Sequence, residues 1–166
     1  MLKISTTLVA VAALSATLVT GGMAWANSTH ASVKGSATSS RPITVVVPAK
    51  DSNWTNTGVT LQAHHALDIR ARGIVNYGLG PVYPSGKSLA NSGCAYFSRP
   101  AGYTFTAPQL SCWSLIGRIG NGHPFQVSGH LHLTDSTAGK LFLIMNDANG
   151  AFGDNSGSWT VAITTS

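Results

Sequence analysis

The chain has no glutamate, and aspartate supplies all five of its acidic residues. Charged residues occupy only 9% of the 166 positions, against about a quarter in ordinary soluble domains. Coiled coils and helical bundles are excluded, because they need glutamate, lysine and alanine in periodic runs. Disorder is excluded as well, since 43% of the chain is apolar and disordered chains are poorer in apolar residues and richer in charge. Cysteine is scarce. Cys94 and Cys112 are the only two, and without a Cys-x-x-Cys spacing they form neither a zinc site nor a redox pair. Clustered positive charge is lacking too: Arg41, Lys50, Arg70, Arg72, Lys87, Arg99, Arg118 and Lys140 are scattered, whereas nucleic-acid binders gather theirs on one face. The length suits one domain, of roughly 100–200 residues. Glycine is plentiful at 18 residues, with serine and threonine also abundant, which points to an all-β chain.

Residues 1–26 read as a secretory signal. Lys3 is the positive start, Leu8 to Val19 the apolar stretch, and Ala24-Trp25-Ala26 a small-x-small cleavage site. The apolar stretch is shorter than the roughly 20 residues of a membrane span, so no membrane insertion is expected and the protein is secreted. Residues 27–41 are small and polar and read as a flexible leader, leaving 42–166 as the folded domain. In an oxidising compartment Cys94 and Cys112 should form a disulfide.

Ile43 to Val47 is β-branched and strand-like, and Pro48 to Asn56 is turn-rich. Val59-Thr60-Leu61 opens a second strand. Leu67, Ile69 and Ala71 alternate with Asp68, Arg70 and Arg72, the period-2 pattern of a half-buried strand. His64-His65 sits between these runs as a hairpin turn. Gly78 to Pro108 is loop-rich, and long irregular loops are often functional. Cys112 to Ile119, Phe125 to Val127, His130 to Leu133, Leu141 to Met145 and the alternation of Trp159, Val161 and Ile163 complete the strands. Short strands separated by Gly, Asn and Pro predict a single β-sandwich.

Asn146 to Trp159, N-D-A-N-G-A-F-G-D-N-S-G-S-W, carries the most chemistry. Two of the five acids, Asp147 and Asp154, fall in this one loop. Calcium takes 6–8 oxygen ligands from carboxylates, amides and carbonyls, and glycines let carbonyls turn inward. The spacing is not that of an EF-hand, which ends on glutamate. By composition the loop suits either a calcium site or a hairpin of plain turn formers.

This loop and four upstream pieces resemble the bacterial PA-IL-like (LecA) galactophilic lectins. The pieces are W-T-N-T-G-V at 54–59, A-R-G-I-V-N-Y-G at 71–78, P-S-G at 84–86 and C-W-S-L-I-G-R-I-G at 112–120. They occur in the family's order across nearly all of 43–166. The resemblance implies a jelly-roll-like, galactose-binding-domain-like β-sandwich that uses calcium to bridge protein and sugar hydroxyls. Carried over by motif, the calcium ligands fall on Tyr77, Asp147, Ala151, Asp154 and Asn155, with Tyr77 and Ala151 acting through their carbonyls. Sugar contacts fall on Tyr77, Asp147, Ala148 and Asp154. Position 154 is Asp where the best-known pattern has Asn, which keeps an oxygen ligand. The His and Gln that contact the primary hydroxyl in the galactose-specific pattern have no counterpart in K-S-L-A-N-S-G-C at 87–94; Lys87, Asn91 or the Tyr103 region are the candidates to substitute for them. The resemblance also implies homo-oligomers, which would give avidity.

Catalysis is not expected. Asp147 and Asp154 are better used as ligands than as a glycosidase pair, and no G-x-S-x-G elbow appears. His130 and His132 share a strand face and read as surface histidines. Trp113 and Trp159 are expected in the core, with Trp54 undecided. The reading is a secreted, calcium-dependent carbohydrate-binding protein whose partner is a galactoside or other glycan. The alternative is a non-catalytic structural or interaction module with a structural calcium or no ligand.

Overall fold

A computed structural model describes residues 41–87, 94, 104–134 and 137–166. The signal segment, residues 27–40 of the leader, Asn91 and Tyr103 lie outside the described residues. The described residues form eleven strands: β1 (Ile43–Pro48), β2 (Thr55–Leu61), β3 (Ala66–Arg72), β4 (Val75–Tyr77), β5 (Pro81–Val82), β6 (Leu115–Ile119), β7 (Phe125–Gln126), β8 (His130–Thr134), β9 (Gly139–Met145), β10 (Asn155–Ser156) and β11 (Ser158–Thr165). No α-helix occurs among the described residues. Every pairing is antiparallel.

Two four-stranded sheets, β1-β11-β3-β8 and β2-β9-β6-β7, form the sandwich, and a three-stranded sheet, β10-β4-β5, completes it. The alternating residues decide which face turns inward. Val47, Leu67, Ile69, Trp159, Val161 and Ile163 from the first sheet join Leu115, Leu141, Leu143 and Met145 from the second in one buried cluster. Each such side chain contributes about 1.5–3 kcal/mol of burial. The third sheet adds Val75, Tyr77 and Val82 to the same cluster. The expected β-sandwich is therefore present, with Trp159 in its core.

Three local expectations change. The turn at His64 is real, with His64 at φ +66°, yet it is not a hairpin: β2 pairs with β9, and β3 pairs with β11 and β8. It carries the chain from one sheet to the other, because burying both apolar strand faces requires them to oppose each other. β2 starts at Thr55, inside the expected turn region, and its register shifts between Asn56 and Thr60. Thr57 faces inward in step with Val59 and Leu61, and its hydroxyl donates to the Leu141 carbonyl at 2.8 Å. Finally, the strand expected from Cys112 begins only at Leu115, since Trp113 adopts φ +51°.

Candidate functional site

The site forms where β9 ends. Asn146 and Asp147 follow Met145 and are both buried. Asn146 is a fastener. Its Nδ2 donates to the carbonyls of Ala107 and Ser111, each at 2.9 Å, and its Oδ1 accepts from Ala107 N–H at 2.9 Å. Thr106 N–H donates to the Asp147 carbonyl at 3.0 Å, and Asn149 N–H to the Thr104 carbonyl at 3.0 Å. These bonds lay residues 104–107 along the start of the loop. Cys94 and Cys112 form the expected disulfide, and it packs with Phe105 and Ala148 in a small core beneath this corner.

Asp147 is 2% exposed. Its Oδ1 accepts from Ala148 N–H at 2.7 Å and from Trp113 Nε1 at 3.1 Å, and its Oδ2 accepts from Asn155 Nδ2 at 2.7 Å. Burial pushes the Asp147 carboxyl above its ordinary value, and the charge of Asp154 adds to that rise. The hydrogen bonds from Asn155, Ala148 and Trp113 oppose it.

The loop then turns back. Ala151 N–H donates to the Ala148 carbonyl at 2.9 Å, and a short 3-10 turn spans Phe152–Asp154. The pairing of β10 with β4 sets Asn155 opposite Tyr77. Asn155 is 3% exposed. Its Nδ2 is shared between Asp147 and the Ala49 carbonyl, while its Oδ1 is buried with no hydrogen-bond partner. Gly78 has φ +87°, and a Cβ there would collide with the Asp154 carboxylate. Position 78 therefore serves as a cradle that only glycine leaves open.

The structure thus brings Tyr77, Asp147, Asp154 and Asn155 together, with Ala148 and Ala151 in the same loop. Two carboxylates, one amide oxygen without a donor and backbone carbonyls make an all-oxygen donor set, the set a hard divalent cation takes. The unpartnered Asn155 Oδ1 and the raised Asp147 carboxyl are the marks of such a fit. No group of three or more His, Cys, Asp or Glu side chains gathers among the described residues.

The profile of the PA-IL-like protein family matches residues 44–166. The chain belongs to the PA-IL-like protein family. Lectin A of Photorhabdus laumondii subsp. laumondii is 32% identical over 118 residues, covering 70% of this chain and 86% of that protein. Among solved structures, the EclA N-terminal domain, described as a PllA-like lectin, superposes with a TM-score of 0.58 at 26% identity. That match covers 76% of this chain and 98% of the other.

One site residue differs from its expected place. Trp113 packs against both buried clusters, but it is only half-buried and its ring borders the loop. Its ring lies 4.3 Å from the Tyr77 ring and 5.7 Å, edge-on, from Phe105. The positive φ at Trp113 swings it out of the strand alternation, so periodicity could not place it. Trp54 is also half-buried and stacks under Arg118, whose guanidinium carbon is 4.4 Å from the ring centroid. His130 and His132 are exposed, as expected. Across the sheet, Asp68 lies 2.9 Å from His130 Nε2 and 3.7 Å from His132 Nδ1.

Proposed function

We propose that this protein is a secreted, non-catalytic lectin that binds carbohydrate through a calcium ion held by Asp147, Asp154, Asn155 and the carbonyls of Tyr77 and Ala151. The observation that carries the reading is the buried Asp147–Asn155 pair, whose amide oxygen lacks a donor beside the Asp154 carboxylate. Membership of the PA-IL-like family, with relatives named as lectins, supports it. When bound, calcium supplies ion–dipole contacts to two vicinal sugar hydroxyls, which orient a ligand that shallow sites otherwise hold poorly. The chain's own part is to fix the donors. Asn155 and the Ala148 N–H hold the Asp147 carboxylate in one orientation, and Gly78, lacking a Cβ, leaves room for that of Asp154. Both carboxylates can also accept hydrogen bonds from the sugar hydroxyls. Galactosides are the first sugars to test.

The test is isothermal titration with calcium, followed by a glycan array with and without EDTA. We expect calcium binding, glycan binding that EDTA abolishes, and loss of both in Asp147→Ala. Glycan binding that survives EDTA unchanged overturns the calcium bridge. Calcium that raises thermal stability with no glycan bound on the array favours a structural module instead.

A further inference from the structure

Lys87 follows the Pro84-Ser85-Gly86 turn and is fixed more firmly than an exposed lysine needs to be. Gly86 has φ +69°, and a Cβ there would collide with the Cys112 carbonyl. Lys87 N–H donates to the Cys112 carbonyl and Cys112 N–H to the Lys87 carbonyl, both at 2.8 Å. The lysine backbone is therefore clamped to the disulfide. Its ammonium donates to the Tyr77 hydroxyl at 2.6 Å and stands 4.6 Å from the Tyr77 ring centroid. The Tyr77 ring in turn lies against Trp113, whose indole N–H reaches Asp147. The cation is thus anchored on the aromatic pair that leads to the buried carboxylate.

No carboxylate among the described residues pairs with it. Among the described residues every ion pair centres on Asp68, on the other strand group. An ammonium has three donors, and the Tyr77 hydroxyl takes one. Arg72 is similarly exposed and outside those ion pairs, and it lines an open groove of about 540 Å³ with Tyr83, Pro84 and Ser85 of the same turn. The charges of Asp147 and Asp154 cancel against a divalent ion, so the cations at this edge are left in excess. A compact, strongly hydrated ammonium gains more from an anion than from a neutral hydroxyl.

We propose that Lys87 is a specificity-determining residue that selects acidic saccharides, with a carboxylate or sulfate seated on its ammonium. The proposal rests on the sugar reading above and adds the class of sugar. The experiment titrates the calcium-loaded full chain with methyl galactoside, methyl galacturonate and methyl galactoside 6-sulfate, and with the gluco counterparts. We expect at least one acidic sugar to bind about fivefold tighter than its neutral match, the size of an exposed charge pair. Raised salt should shrink that ratio. Tightening by both acids assigns charge alone, and tightening by one assigns carboxylate or sulfate as the preferred group. Lys87→Gln should bring the ratio close to one, and Lys87→Arg should retain it, with calcium titration reporting that each variant is folded. Equal affinities for neutral and acidic sugars in the unmodified protein overturn the proposal, as does a preference that survives Lys87→Gln. Calcium binding with no affinity for any of these sugars, neutral or acidic, overturns the sugar reading itself and this proposal with it.

Discussion

In the proposed site, Asp147 would couple metal binding to pH. Its carboxyl is raised by burial first and by Asp154 second. A raised group favours the fold when protonated, so its stabilising effect is complete below the ordinary carboxylate pKa and is lost as pH rises through the raised value. The metal-free fold therefore carries a destabilising charge near neutral pH, and a bound cation offsets it. Calcium should raise the melting temperature more at about pH 7 than at about pH 4, where protons compete for the ligands. Scanning calorimetry with calcium and with EDTA measures both increments, and equal increments contradict the argument. Asp68 runs the other way. The hydrogen bond to His130 holds it below its ordinary value, so its contribution is lost as pH falls. Asp147→Asn separates the two, because it should remove the calcium increment at both pH values while leaving the loss of stability that Asp68 causes as pH falls.

At the scale of elements, the tight approach of β4 to the loop makes Gly78 the position to test. Alanine there would meet both an unfavourable φ and the Asp154 carboxylate. Gly78→Ala should cost about 1–3 kcal/mol of stability and weaken calcium binding by about tenfold or more. Gly153→Ala, where a Cβ meets open space, is the control and should leave calcium affinity nearly unchanged by titration. The long strands were legible because alternation announces them: β3 buries Leu67 and Ile69, and β11 buries Trp159, Val161 and Ile163. β4, β5 and β10 have only two or three residues each. No period can be read in so short a stretch, and each exists because a partner strand is present. The crossing at His64 was hidden for a related reason, since a turn residue records a change of direction but not which sheet receives the next strand.

For the whole molecule, the ligand set was legible only through the resemblance of whole motifs. Composition alone left the Asn/Gly loop equally suited to a plain turn, and the contribution of Trp113 depended on a backbone angle no pattern encodes. The donors come from both sides of the chain: Tyr77 precedes the disulfide loop, and Asn155 nearly closes the domain. They meet only through the β4–β10 pairing. That pairing has a kinetic consequence. Contacts between distant segments pay loop-closure entropy before they return anything, so the proposed metal site should assemble late on the way to the native state. Calcium should then act as a latch, slowing unfolding while leaving refolding nearly unchanged. Stopped-flow traces in calcium and in EDTA distinguish this from its opposite, in which faster refolding would put β4 and β10 together in the folding nucleus.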